Sequence, residues 1–272
     1  MKKVKAVLCD FDGTLVNENG KYLPGVKKLI KKIQNKNIRF SLATGRAYYS
    51  TSLKQVENEL GIKGIHILHG GSLIYDSQTN KTLWEQTISS KSKKEIIKYF
   101  ISHRIKFSAE TKNCVYLFPP KKKFIFYQDV LVKNINNIKK TDKVNKIVLF
   151  ARGNKLRESK LKFHLDYFRK NCSDISAIKY EFSGYCGVDI TSEKATKHTA
   201  VLEYLKILNL FPEEVVAIGD GLNDYPLFTA CGFGIAMATA AKELKEIADL
   251  VVPSVNDGGI VEAIEYTVNN LI

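Results

Sequence analysis

The 272-residue sequence predicts a two-part α/β protein, with a doubly wound parallel-sheet (Rossmann-like) core interrupted by an inserted α+β domain. Three observations predict it. The N-terminal part alternates short apolar runs with helix-period stretches, a βαβα pattern that implies parallel strands joined by right-handed crossovers. The C-terminal third repeats that pattern. The middle third is denser in strand-like runs, so its architecture differs from that of its flanks.

Each element follows from its residues. Val4 to Cys9 is an apolar run that stops at Asp10-Phe11-Asp12-Gly13, as a strand buried on both faces does. Between Gly25 and Lys36, Val26, Leu29, Ile30 and Ile33 recur at the spacing of an amphipathic helix, and Pro24 suits its first turn. Phe40 to Ala43 is the next strand, ending at Thr44-Gly45-Arg46, and helix-like sequence runs from Ala47 to Leu60. In the middle, strands are expected at residues 114–118, 124–127, 146–150 and 175–182, with helices at 92–102 and 155–170. A helix is then expected from Lys197 to Leu208, and a strand from Val215 to Ile218 that ends at Gly219-Asp220-Gly221. Another helix is expected over Asp224 to Ala230, a short strand at 250–252 and a closing helix over 259–270. The expected division is residues 1–82 and 188–272 for the core and 83–187 for the insert.

Composition narrows the setting. There are 42 basic and 28 acidic residues, a formal net charge of +14. The excess is spread along the chain, as in Lys27-Lys28, Lys31-Lys32 and Lys121-Lys122-Lys123. That spread argues for general composition over a nucleic-acid surface, and it suits steering of a small anionic substrate. Five widely spaced cysteines without a CxxC pair argue against a disulfide framework or a zinc site. The apolar run after the basic N-terminus breaks at Asp10, too early for a signal peptide, and no stretch is long enough to span a membrane. A reducing cytoplasm is the expected location.

In an open parallel sheet, ligands bind beyond the carboxyl ends of the strands. Three expected core strands end in polar, glycine-containing turns: Asp10 to Thr14, Thr44 to Arg46, and Gly219-Asp220-Gly221-Leu222-Asn223-Asp224. The sheet brings these distant segments to one edge, so several carboxylates converge and repel unless a cation is present. All-oxygen ligation favours a hard ion, and Mg²⁺ is the usual choice beside phosphate. Two carboxylates at i and i+2 can divide labour, one attacking phosphorus and the other moving the proton. Thr44 can offer a hydroxyl to a phosphate oxygen, Gly45 permits close approach, and Arg46 can bind an anion or pair with a carboxylate of the core. Lys197 and Lys194 compete as the cation near the start of a helix. Asp220 can reach the metal, Asp224 can hold a metal water or orient Lys197, and Asn223 can cap the next helix.

These residues together resemble the haloacid dehalogenase-like superfamily, and in particular its Cof-type phosphatases with an inserted α+β cap. Asp10-Phe11-Asp12-Gly13-Thr14 resembles the first family motif and Thr44-Gly45-Arg46 the second. Ile190-Thr191 leading to Lys197 is similar to the third, and Gly219 to Asp224 to the fourth. The resemblance favours Lys197 over Lys194. It implies Asp10 as nucleophile through an aspartyl-phosphate, Asp12 as general acid/base, and Thr44 and Lys197 as holders of the phosphoryl group. It also implies Mg²⁺ bound by Asp10, the Asp12 carbonyl and Asp220, with a cap that closes over the site and selects the substrate. The implied activity is Mg²⁺-dependent hydrolysis of small phosphorylated metabolites, sugar phosphates first and phosphorylated cofactors next.

The chain departs from the family pattern at His69-Gly70-Gly71, where Asn-Gly-Ala is usual, at His198, where Gly is usual, and at Met237-Ala238-Thr239-Ala240. His69 is a candidate substrate contact, with a structural role as the simpler reading. The sequence also admits three other functions. A phosphomutase would transfer the phosphoryl group with little release. A receiver-like signalling domain would keep a long-lived phospho-aspartate and would not need Asp12. A nucleic-acid binder would use Lys121-Lys122-Lys123 with Phe124, Phe126 and Tyr127.

Overall fold

The computed structural model describes residues 3–120, 130–152, 164–168, 170–182 and 185–272. Within it the chain divides into two compact units. The first comprises Met1–Arg46, Ser52–Trp84 and Thr196–Ile272, and the second Ala47–Thr51 and Glu85–Ala195. The expected insert boundary at residue 187 falls inside a strand, Tyr185–Ser192, whose partner strands belong to the second unit.

The first unit is built on a five-stranded parallel sheet. Its strands are β1 (Ala6–Cys9), β2 (Arg39–Leu42), β12 (Val215–Gly219), β13 (Phe233–Met237) and β14 (Leu250–Val252), in the order β14-β13-β12-β1-β2. β1 is fully buried and pairs in parallel with β2 on one side and β12 on the other. The strand order reverses at β1, so its carboxyl end is the switch point where such sheets bind ligands. A second, three-stranded sheet follows in order β3 (Ile65–Leu68), β4 (Leu73–Asp76) and β5 (Lys81–Glu85). A single parallel bridge, Ala43 to Ile67, joins β3 to the end of β2.

The helices follow the apolar stripes read from the sequence, with shifted ends. Val26–Asn35 buries Val26, Ile30 and Ile33. The helix expected from Ala47 begins only at Thr51 and runs to Leu60. Residues 47–50 instead form an irregular segment, with Ala47 and Tyr49 packed on Val115 and Leu117 in the second unit. Lys197–Leu208 starts where predicted, because Thr196 caps it by accepting the Thr199 amide at 3.0 Å. Only Tyr225–Phe228 is α-helical in the predicted 224–230 stretch, after a 3₁₀ turn at Leu222–Asp224. Gly259–Tyr266 continues as a π-helical turn over Thr267–Leu271.

The second unit carries a six-stranded, mainly antiparallel sheet in the order β10-β11-β9-β6-β7-β8. These are β6 (Phe107–Glu110), β7 (Cys114–Phe118), β8 (Leu131–Asn134), β9 (Lys146–Arg152), β10 (Ile175–Phe182) and β11 (Tyr185–Ser192). The helix Ser90–Ser102, capped by Ser89, lays Ile96, Ile97 and Phe100 into a core with Phe107, Ile147 and Phe168. A buried ammonium ties down a loop of this unit: Lys93 Nζ donates to the carbonyls of Lys139, Lys140 and Asp142 at 3.1, 2.9 and 2.5 Å. The predicted strand at 124–127 and the Lys121 to Lys123 run lie outside the described residues. So does most of the predicted 155–170 helix, of which 164–168 and residue 170 are helical.

One buried polar bridge fastens the helix Lys197–Leu208 to β2. The Tyr204 hydroxyl and Ser41 Oγ lie 2.9 Å apart, both in the core. Burial pushes the Tyr204 hydroxyl pKa up to about 12, so it stays protonated. Tyr204→Phe leaves Ser41 without that partner, and we predict a loss of about 1–2 kcal/mol in urea unfolding. An unchanged midpoint would show that the bridge contributes nothing.

Candidate active site

The site lies in the first unit, at the carboxyl ends of β1, β2 and β12. β1 ends at Cys9, although the Asp10 amide still donates to the Ile218 carbonyl at 2.8 Å; past Asp10 the chain turns, with the Leu15 and Val16 amides both donating to the Phe11 carbonyl. The two aspartates therefore engage different cations.

Asp10 is buried and accepts from Lys197 Nζ at 2.6 Å. The same ammonium donates to Asp224 Oδ1 at 2.5 Å. The other Asp224 oxygen accepts the amides of Asp220 and Gly221, each at 3.1 Å. Asp224, not Asn223, thus occupies the amides that open the turn, while Asn223 is exposed with its amide oxygen folded over Gly221. Gly219 is required here, because a Cβ would lie 2.7 Å from the Asp224 carboxyl carbon. Burial pushes the Lys197 ammonium down, but Asp10 and Asp224 outweigh it and hold the group above its usual range. Lys194 is exposed and belongs to the second unit.

Asp220 accepts the Thr14 hydroxyl at 3.0 Å. Its other oxygen fills the space a side chain on Gly13 would need, 2.2 Å from an ideal Cβ, and Gly13 has a φ of 76°. Both facts demand glycine. Ligand oxygens of Asp10, Asp220 and Asp224 all lie within 4.8 Å of one another. Burial, with Asp224 next, raises the Asp10 carboxyl well above its ordinary value and pushes Asp220 up to about 6. Three carboxylates against one ammonium leave two negative charges, which a hard divalent cation neutralises. The donor set therefore fits Mg²⁺. Asp10 and Asp220 are the fitting ligands, since both Asp224 oxygens already serve Lys197 and the turn amides.

Asp12 faces Arg46. Arg46 Nε and Nη2 reach the two Asp12 oxygens at 2.7 Å each, a bidentate pair. Arg46 Nη1 donates to Ser52 Oγ at 2.6 Å, and the guanidinium lies 5.1 Å from the Phe11 ring centroid. Of the two options open from sequence, the structure shows the carboxylate pair. Thr44 is buried, and its Oγ1 accepts the Arg46 amide at 3.1 Å, which leaves the hydroxyl proton to donate elsewhere. A Cβ on Gly45 would meet no protein atom within 4 Å, so packing does not require that glycine.

His69 is buried with φ 51°, and its amide donates to the Arg46 carbonyl at 3.0 Å, while the Gly70 amide donates to the Thr44 carbonyl at 3.0 Å. Gly71 has φ 103°, and a Cβ there would lie 2.3 Å from the Thr196 carbonyl. The turn after β3 thus touches both the Thr44–Arg46 loop and the start of the Lys197 helix. The sequence signal was present as consecutive glycines, but their partners were not readable. His198 lies apart, its Nδ1 3.3 Å from the Thr229 hydroxyl.

Comparison with known proteins agrees with this geometry. A family profile described as haloacid dehalogenase-like hydrolase matches residues 7–264. A phosphoglycolate phosphatase of Methanosarcina acetivorans is 28% identical over 98% of each chain. The phosphatase YwpJ of Bacillus subtilis is 23% identical over 97% of this chain and 99% of its own. Among solved structures, a haloacid dehalogenase-like hydrolase from Bacteroides thetaiotaomicron shares the fold with a TM-score of 0.82 at 21% identity, covering 97% of this chain and 99% of that one. A subclass IIB sugar phosphatase shares it with a TM-score of 0.78 at 18% identity, covering 97% and 98%. The chain belongs to the haloacid dehalogenase-like hydrolases, in their phosphatase branch.

Proposed function

We propose that the chain is a Mg²⁺-dependent phosphatase of small phosphorylated metabolites, sugar phosphates first, working through a phosphorylated Asp10. The observation that carries this reading is the Lys197 ammonium shared between Asp10 and Asp224, with Asp220 in the same cluster of ligand oxygens. Asp10, Asp220 and the Asp12 carbonyl would hold the metal, which supplies charge neutralisation for phosphoryl oxygens.

The chain's own groups supply the rest. An Asp10 carboxylate oxygen attacks phosphorus, and the ester P–O bond breaks. Asp12, with one oxygen released from Arg46 to carry a proton, gives that proton to the leaving oxygen, then takes one from the water that attacks the phospho-aspartate and breaks its P–O bond. Lys197 and the Thr44 hydroxyl bind the phosphoryl oxygens throughout, with the Gly45 backbone beside them. Arg46 holds Asp12 by both oxygens, so it acts on the acid/base group more directly than on substrate. Asp224 supports the site by aiming Lys197, and Asn223 closes the turn beside it. His69 contributes through its amide on the Arg46 carbonyl.

Sugar-phosphate preference draws on the subclass IIB neighbour, and phosphoglycolate is a second substrate to test on the strength of the Methanosarcina relative. The formal charge of +14 suits attraction of such anions. A cytoplasmic setting suits the free thiols of Cys9, Cys114, Cys172 and Cys231, and among the described residues no helix is long and apolar enough to cross a membrane.

Phosphate release from a panel of sugar phosphates and phosphoglycolate, with Mg²⁺ or with EDTA, tests the reading. We expect turnover only with metal, and background release from Asp10→Asn. Equal release by wild type and Asp10→Asn would overturn it, and transfer between sugars without release would point to a mutase. Separately, Arg46→Lys should lower kcat about tenfold with KM changed less, because lysine cannot hold both Asp12 oxygens; the loss corresponds to roughly 1.4 kcal/mol. Unchanged kcat would show that the pair is incidental.

A further inference from the structure

The edge of β2 that faces β3 is held in an unusual way. Above the single Ala43–Ile67 bridge, the Thr44 amide donates to the Ile67 carbonyl at 2.9 Å, as in a parallel ladder. One ladder step below, the Leu42 amide does not reach a strand carbonyl but donates to His66 Nδ1 at 3.0 Å. A backbone N–H can only donate, so Nδ1 carries no proton and the ring's proton sits on Nε2. Nε2 in turn donates to Glu57 Oε1 at 3.1 Å. Both side chains are fully buried, His66 on β3 and Glu57 on the helix Thr51–Leu60. A carboxylate thus fixes both the tautomer and the orientation of the imidazole, and the imidazole replaces a missing sheet bond.

Polar groups along Leu42 to Arg46 are held by β3 and its turn. Thr44 N to Ile67 O, Gly70 N to Thr44 O and His69 N to Arg46 O run backbone to backbone. The Leu42 amide is instead held through a side chain. The helix that presents Glu57 also presents Ser52, the partner of Arg46 Nη1. We propose that His66, oriented by Glu57, is a positioning residue for the phosphate site: it fixes the end of β2 so that the Thr44 hydroxyl and the Arg46 guanidinium stand where the reaction needs them, without touching substrate itself. The proposal rests on the phosphatase reading for its catalytic consequence, but its structural claim can be read without activity.

The test uses the full chain and three variants, assayed well below each one's melting temperature. His66→Asn keeps an acceptor near the Nδ1 position, His66→Leu keeps volume but no acceptor, and Glu57→Gln frees the ring from its carboxylate. We expect His66→Leu to lose about tenfold in kcat with a smaller change in KM, and His66→Asn to recover most of that loss. Amide hydrogen exchange read by NMR should be faster at Leu42 and Thr44 in His66→Leu and Glu57→Gln, and close to wild type in His66→Asn. A variant with a lower melting temperature but wild-type kcat and KM would mean His66 only stabilises the fold, and would overturn the proposal. If His66→Leu does not fold, Glu57→Gln decides: unchanged Leu42 exchange and unchanged kcat overturn it. If the wild type releases no phosphate, the phosphatase reading fails, and Leu42 exchange alone still decides whether His66 holds β2.

Discussion

A buried ammonium between two buried carboxylates is the constraint around which the site is arranged. Lys197 is almost fully enclosed, and an ionised lysine in that position is costly unless it is paired and hydrogen-bonded. Asp10 and Asp224 supply the pairing from the segments that follow strands β1 and β12, which lie side by side in the sheet. The pairing in turn dictates local chemistry. Asp224 must be aimed, which its two turn amides and the absence of a Gly219 side chain achieve. The helix must begin at Lys197, which the Thr196 cap enforces, and it must lie at a fixed depth, which Tyr204 on Ser41 secures.

The three carboxylates outnumber the ammonium, and that imbalance is the ground on which we propose the cluster as a metal site. Burial is the leading cause of the raised Asp10 and Asp220 carboxyls, and the neighbouring carboxylates add to it. Ion-pair networks built for stability place opposite charges in near balance. A cluster left two charges short is arranged for a ligand that brings them.

Much of this was legible in the sequence because parallel strands buried on both faces read as uninterrupted apolar runs. Val4 to Cys9 and Val215 to Ile218 are such runs, and the polar turns that end them mark the binding edge. The sheet β3–β4–β5 was not foreseen. Its strands are short, β3 carries His66 in its middle, and β5 is only partly buried, so neither apolar continuity nor alternation stands out. β13 was missed because Gly234 interrupts it; that glycine leaves room for the Phe228 ring, 2.5 Å from where its Cβ would be. The partners of Arg46 and Lys197 were not readable either. They depend on side chains brought together across 34 and 187 residues, and no local pattern records such a meeting.

The structure also changes the reason for assigning different roles to Asp10 and Asp12. Spacing at i and i+2 on an extended strand would have placed the two carboxylates in similar surroundings. The turn after Cys9 separates them instead. Asp10 is enclosed and bound to a lysine that is itself shared, whereas Asp12 is about 29% exposed and gripped by both arms of an arginine. A nucleophile benefits from the first environment, where water is excluded and the attacking oxygen is held in place. A group that must exchange protons with a leaving oxygen and then with water benefits from the second, where solvent reaches it. The division of labour we propose thus rests on which cation each aspartate meets, Lys197 for Asp10 and Arg46 for Asp12.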